Sequence, residues 1–310
     1  MINFKSKIYV AGHNGLVGSA ILRKLQSLGY KNLIFINKKK LDLTHQAKVY
    51  NFLKKKKPEF IFIAAAKVGG ILNNKRNKAD FITKNLLIQT NIINGAFLAG
   101  VQNLIFLGSS CVYPKKSKQP IKESYLLSGS LEETNDAYAV AKIAGIKMCQ
   151  SFNEQYGLNY KCLMPTNIFG PNDNYDLINS HFFPALIKKI HKIKKNKLAK
   201  LTLWGNGKAK REVLHVDDLA DACIFFMKKN TKEKIINIGT GKDYSILYYA
   251  KLISKIILGK QISIKYDKTK PNGVYRKVLD VSLANKYGWS AKINLQDAIL
   301  KTYNSFLKEK

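Results

Sequence analysis

This 310-residue chain has little arginine, few acidic residues, no closely spaced cysteines and no long apolar run. No stretch approaches the roughly 20 apolar residues of a membrane-spanning helix, and residues 1–7 lack the apolar core of a secretory signal. A soluble, intracellular protein is therefore expected, cytoplasmic and without a membrane partner. Cys111, Cys149, Cys162 and Cys223 fall far apart. Metal sites need closely paired ligands, so no metal is expected, and scattered thiols fit a reducing compartment.

Acidic residues number 20 against 53 basic ones, leaving a formal net charge of +33. Such a charge points first to nucleic acid or an anionic membrane. Only four basic residues are arginine, namely Arg23, Arg76, Arg211 and Arg276. Recognition of phosphates and base edges favours the planar guanidinium fork over the point charge of lysine. The lysines are spread over nearly every helix face and do not gather into one arm with interleaved aromatics. Nucleic acid is therefore not the expected partner, and the charge is left to help capture a small anionic metabolite.

The 46% of apolar residues suffices for one large core plus a lobe. Short β-branched runs at 7–11, 33–36, 60–65, 104–107 and 160–164 alternate with amphipathic stretches at 16–28, 46–55, 79–99 and 137–156. Strand followed by helix at this spacing means right-handed crossovers and an α/β fold. The expected form is a Rossmann-like, doubly wound parallel sheet with its ligand at the carboxyl ends of the strands. Beyond Gly170 and Pro171 the rhythm loosens, with helices near 183–194, 219–228, 246–258 and 295–306 and short strands at 201–204, 235–238 and 262–266. The expected division is a dinucleotide-binding unit over 1–170 and a smaller α/β substrate lobe over 171–310, with some segments returning to the sheet.

Between the first strand and the first helix runs Gly12, His13, Asn14, Gly15, Leu16, Val17, Gly18. Glycines in that position let the backbone approach a pyrophosphate, and the free N–H groups of the helix start face the anion. A carboxylate ending the second strand would bond a ribose 2'-hydroxyl, whereas cations accept a 2'-phosphate. Here the chain reads Lys38, Lys39, Lys40, Leu41, with no acid before Asp42 and Leu43. The run points to NADPH, with Lys38 or Lys39 on the phosphate; the alternative is a solvated lysine run.

The segment Leu107, Gly108, Ser109, Ser110, Cys111 ends the fourth strand, and Tyr138 and Lys142 follow one helical turn apart. With 16 Tyr and 49 Lys, chance gives about 2.5 pairs at that spacing. Three occur, the others being Tyr50 with Lys54 and Tyr266 with Lys270, so spacing alone decides nothing. Position singles out Tyr138, at the start of the helix that follows a hydroxyl-thiol loop at the ligand edge. An ammonium one turn from a phenol lowers the cost of its ionisation, and Ser109 can bond the same substrate oxygen. Cys111 is either packing or, with a cation nearby, a carbon-acid base. His181 is either structural or its acid partner.

These residues resemble a known family. Ala64 to Gly70, Gly108 to Pro114, Tyr138 to Gly145, Met164 to Asn167, Asn179 to His181 and Arg211 to Asp218 are together similar to the GDP-L-fucose synthases, extended short-chain dehydrogenases/reductases that are bifunctional epimerases and oxidoreductases. The resemblance runs from about Lys7 to Phe306 and implies NADPH, a GDP-sugar substrate and a homodimer built from two helices per subunit. It makes Tyr138 the acid for the C4 oxygen, Lys142 its tuner and ribose contact, Ser109 a hydrogen-bond partner, Cys111 the base at C3 and C5, and His181 the returning acid. It adds Leu107, Gly108, Ser110, Pro165, Thr166, Asn167, Ile168 and His181 to the cofactor contacts, and Lys189, Trp204, Arg211 and Asn272 to the substrate contacts. The chain departs from the pattern at Lys189, where relatives often carry arginine, and at Asn14, where they often carry an arginine for the 2'-phosphate.

Overall fold

The computed structural model describes residues 2–177, 179–197, 199–270 and 273–308. Its first half alternates β1 (Ile8–Ala11), α1 (Leu16–Ser27), β2 (Leu33–Ile34), α2 (Gln46–Lys56), β3 (Phe60–Ile63), α3 (Ile71–Arg76), α4 (Lys78–Leu98), β4 (Asn103–Leu107), α5 (Asp136–Tyr156) and β5 (Asn159–Pro165). The second half adds β6 (Asn167–Phe169), α6 (Phe182–Asn196), β7 (Lys200–Trp204), β8 (Lys210–His215), α7 (Val216–Lys228) and β9 (Ile235–Ile238). The chain closes with β10 (Asp243–Ser245), α8 (Ile246–Leu258), β11 (Ser263–Asp267), β12 (Arg276–Lys277), α9 (Ser282–Lys286) and α10 (Leu295–Lys308).

β1 and β3 are apolar and buried at every position, as strands covered on both faces must be. They belong to one parallel sheet in the order β2, β1, β3, β4, β5, β9. Its register sets Tyr9 beside Ile61 and Phe106 beside Cys162. One face is packed by α1 and α7, the other by α2, α4 and α5. The chain leaves β1 toward β2 and then crosses back to β3, so a crevice opens at the carboxyl ends of β1 and β3.

A second core joins α6, α8 and α10 to β7, with β11 paired to β7 in parallel. Between the two cores lies a small sheet in which β8 contacts β6, β10 and β12. The expected helices and longer strands are present, but β6, β8, β10, β12, α3 and α9 carry no signal that periodicity detects. All but β8 are short, and Lys210, Arg211 and Glu212 give β8 a charged start. β2 keeps only two residues of the expected four, and β3 ends at Ile63.

Glu212 ties these pieces together. It has no exposed surface, and its carboxylate accepts from the N–H groups of Thr240 at 2.6 Å, Gly241 at 2.7 Å and Leu279 at 2.8 Å. One side chain thereby fastens β8 to the loop after β9 and to the segment after β12. Burial raises its pKa to about 7, against the opposing pull of those three donors and of Thr166. Glu212→Ala leaves three buried donors without an acceptor, a loss of about 3 kcal/mol or more. The urea unfolding midpoint should drop accordingly, and Glu212→Gln, which keeps one oxygen, should fall between that variant and the parent.

Candidate active site

The turn from β1 into α1 is shaped by contact. Gly12 adopts φ +87°, and a Cβ there would lie 2.6 Å from the Ala65 nitrogen just beyond β3. A Cβ on Gly18 would run into the Gly12 carbonyl. Only glycines let helix, turn and neighbouring strand close this tightly. Gly15 caps α1 with no side-chain bond and no acid in the first turn, so the helix start offers N–H groups and positive dipole to an anion. His13 lies against Phe35, ring centroids 5.1 Å apart, and burial lowers its pKa.

Lys38, Lys39 and Lys40 are exposed beyond β2. Asp42 does not compete with them for a ribose. Its carboxylate accepts from the Thr44 N–H at 3.0 Å and hydroxyl at 2.9 Å, and those bonds hold its pKa down. Leu41 is buried, and the Leu43 carbonyl accepts from Asn91. At the end of β5, Pro165 closes the strand and Thr166 and Asn167 both donate to the Glu212 carbonyl. Ile168 pairs with Leu214. The donor set fits a dinucleotide: a glycine cradle, an uncapped helix start and exposed cations with no carboxylate where a 2'-phosphate would sit.

At the end of β4, Ser109 caps a single 3-10 turn, Ser110–Val112, by accepting from the Cys111 N–H at 3.2 Å. The Ser109 hydroxyl also lies near enough to the Cys111 thiol and the Tyr138 phenol to favour ionisation of both. Cys111 Sγ receives Asn135 Nδ2 at 3.3 Å and Lys277 Nζ at 3.5 Å. Burial pushes this thiol upward, but the Lys277 charge and the bonds from Ser109, Lys277 and Asn135 outweigh it, and the net shift is downward. Cys149 and Cys223, by contrast, are buried with no cation to lower them and are pushed up.

Lys142 is buried, donates to the Leu107 carbonyl at 2.8 Å and lies 4.7 Å from the Phe106 ring centre. Burial lowers its pKa to about 8. Tyr138 moves the other way, raised by burial and then by the negative charge of Cys111 despite the Ser109 bond. The expected easing of the phenol by Lys142 is thus outweighed, because the ammonium, 5.9 Å from the ring centre, is turned to a carbonyl. The phenol stays protonated, as a donor requires.

His181 caps α6 and is open to solvent, and burial of its surroundings lowers its pKa. Its loop is fixed to the crevice by the Gly70 N–H, which donates to the Asn179 carbonyl at 2.8 Å. A Cβ on Gly273 would crowd the Arg211 guanidinium, with the Ile71 side chain also nearby. Arg211 feels the charges of Cys111 and Glu132. Farther out, Trp204 lies between Lys189 and Lys270, whose ammonium groups are 5.5 and 5.8 Å from its ring. Gly108 lies beside Met164, and Ser110 is buried. Asn272 lies outside the described residues.

Sequence reasoning missed Lys277, Asn135 and Glu212. Asn135 stands three residues before Tyr138 and was findable as the residue opening that helix. Lys277 is one lysine among many and gave no signal. Among the described residues no group of acids, histidines and cysteines could hold a metal, and no helix is long and apolar enough to cross a membrane.

The model of the NAD dependent epimerase/dehydratase family matches residues 8–239. The chain is similar to GDP-L-fucose synthase 1 of Arabidopsis thaliana, 48% identical over 99% of this chain and 95% of that one. It is similar also to GDP-L-fucose synthase of Escherichia coli strain K12, 43% identical over 98% and 97%. Among solved structures, a GDP-L-fucose synthetase from Naegleria fowleri bound to NADP superposes with a TM-score of 0.90 at 27% identity, covering 100% of this chain and 95% of that one.

The contrast among thiols is directly testable. Iodoacetamide at neutral pH should alkylate Cys111 first, leaving Cys149 and Cys223 unmodified until the protein unfolds, as read by peptide mass mapping. Equal labelling of all three would contradict the charge assignment at Cys111.

Proposed function

This chain belongs to the NAD dependent epimerase/dehydratase family, and from that premise we propose that it converts GDP-4-dehydro-6-deoxy-D-mannose to GDP-L-fucose by 3,5-epimerisation followed by NADPH-dependent reduction of the C4 ketone. The observation that carries this reading is a thiol with a cation and an amide on its sulfur, whose charge acts on the Tyr138 phenol nearby. Simple reductases need the phenol but have no use for an activated thiol beside it. The names of the Arabidopsis and Escherichia coli relatives support the same substrate.

A ketone at C4 acidifies the C–H bonds at C3 and C5, so one base and one acid can serve both inversions. Cys111 removes the proton. His181, whose pKa burial lowers, gives one readily to the opposite face. Tyr138, kept protonated, donates to the C4 oxygen, and Ser109 holds that oxygen. Lys142, seated on the Leu107 carbonyl, would hold the nicotinamide ribose. When bound, NADPH supplies the hydride for C4. Gly12 to Gly18 would hold its pyrophosphate, Lys38 or Lys39 its 2'-phosphate, and Leu107 to Ser110 with Pro165 to Ile168 its nicotinamide half.

Arg211 is suited to fork onto the GDP pyrophosphate, and Trp204 and Lys189 to cover the base. Residues 1–170 form the cofactor unit and 171–310 mainly the substrate lobe, with α7, β9 and α9 returning to the sheet. The exposed apolar residues Leu87 on α4 and Val140 on α5 suit the helix faces of a homodimer. Four free cysteines fit a cytoplasmic setting.

Incubation with NADPH and the ketosugar nucleotide should yield GDP-L-fucose. Tyr138→Phe should depress reduction by about 10²- to 10⁴-fold. Cys111→Ser should abolish solvent deuterium exchange at C3 and C5 while direct C4 reduction stays measurable. Exchange at the parent rate in that variant would refute the thiol as base. Exchanging Lys38 and Lys39 for acids should raise the Michaelis constant for NADPH well above that for NADH, and unchanged constants would remove them from the phosphate site.

A further inference from the structure

A thiol held in a desolvated pocket favours its neutral form, so a base built on cysteine needs a fixed positive partner. In many sites a histidine fills that part, but here the imidazole of His181 belongs to another element. The group in contact is an ammonium, Lys277 Nζ at 3.5 Å from Cys111 Sγ, with Asn135 Nδ2 at 3.3 Å also on the sulfur.

Lys277 sits on a strand of only two residues, but its backbone is pinned from several directions. In register it pairs with Arg211 of β8. Before it, Arg276 forks onto Asp243 through bonds of 2.7 and 2.9 Å. After it, the Val278 N–H donates to Gln119 Oε1 at 2.9 Å and the Leu279 N–H to Glu212 Oε2 at 2.8 Å. Among the described residues Lys277 pairs with no carboxylate. The groups facing the sulfur are Lys277 from β12, Ser109 from the 3-10 turn, Asn135 and Tyr138 from the start of α5, and the charge of Arg211 from β8. Arg211 is turned to its own strand, donating to the Lys210 carbonyl at 2.8 Å. Lys277 is the cation within contact of the sulfur.

We propose that Lys277 is a positioning residue whose ammonium is the counter-ion of a Cys111 thiolate, held by the β12 backbone so that the cysteine is charged before substrate arrives. The proposal rests on the reading of Cys111 as the base of the epimerisation. It assigns to Lys277 no contact with the sugar and no proton transfer; its work is to keep the sulfur ionised.

The test is a pH titration of thiolate ultraviolet absorbance in the NADP-loaded protein, taken as the difference from Cys111→Ser. The parent midpoint should lie below that of a free thiol. Lys277→Gln should move it up by one pH unit or more, a tenfold loss of thiolate well below the midpoint, and Lys277→Arg should keep it near the parent value. Deuterium exchange at C3 and C5 should fall about tenfold in Lys277→Gln near neutral pH and recover as the pH is raised, with C4 reduction of a supplied epimerised ketosugar little changed. A midpoint unmoved in Lys277→Gln overturns the proposal. So does a parent Cys111 that titrates like a free thiol, a result that does not depend on Lys277→Gln folding. Exchange that survives Cys111→Ser would overturn the base assignment instead, because the titration reads the ion pair directly.

Discussion

The arrangement of the cleft depends on one buried carboxylate. Glu212 has no exposed surface, and its two oxygens accept from Thr240, Gly241 and Leu279. These donors come from the end of β9 in the main sheet and from the segment after β12, and Glu212 itself lies on β8 in the small sheet. Leaving any of the three unpaired would cost about 1–3 kcal/mol, so the three segments stay in fixed register. Arg211 precedes Glu212 and Lys277 lies two residues before Leu279, so the two cations that border the thiol inherit their positions from this clamp. Asn237 adds a second fastening one strand away, linking Tyr113 to the carbonyls of Ile121 and Asp280. The cleft can thus be polar without being loose.

Within that frame the same desolvation has different outcomes for different groups. It raises Tyr138, lowers Lys142 to about 8 and lowers His181. For Cys111 alone among these groups, desolvation loses. A unit charge at the 3.5 Å separation of Lys277 Nζ and Sγ is worth roughly 5 kcal/mol at an effective dielectric constant of 20. That is comparable to the penalty of partial burial, and Ser109 and Asn135 then tip the net shift downward. A phenol pushed up and a thiol pulled down in one pocket is the division of labour that an acid and a base require. The thiolate also helps keep the phenol protonated, since its charge raises Tyr138 further.

The parallel sheet was legible because its strands are buried on both faces and therefore read as unbroken apolar runs, as in the Phe60 to Ile63 stretch. The glycine loop was legible because backbone crowding leaves no other residue type at Gly12 and Gly18. Ser109, Cys111, Tyr138 and Lys142 could be named because they flank one strand end and one helix start. The small sheet was not legible. β8, β10 and β12 are two to six residues long and gain their pairing from distant segments, which no local period records. The same reason hid Lys277: its importance comes from lying opposite Arg211 in register, 66 residues away in sequence by the numbering. Glu212 carries no local mark of the three donors it meets, which come from segments 28 to 67 residues away.

The scarcity of arginine, first met as an argument against nucleic acid, gains a structural sense. Lysine serves wherever a solvated positive charge is enough, and much of the net charge of +33 is of that kind. The field it makes draws anions toward the molecule and is screened within about 10 Å at ordinary ionic strength. Three of the four arginines stand where a point charge would do less. Arg276 forks onto Asp243 and fixes the strand that carries Lys277. Arg23 reaches from α1 to Ser19 and to Asp217 on α7, crossing two helices of the nucleotide unit. Arg211 lines the cleft itself, half-buried and next to the thiol. A planar fork satisfies two acceptors with one set side-chain geometry, which an ammonium cannot do. In a chain with 49 lysines and four arginines, these three stand where side-chain geometry, and not charge alone, is used.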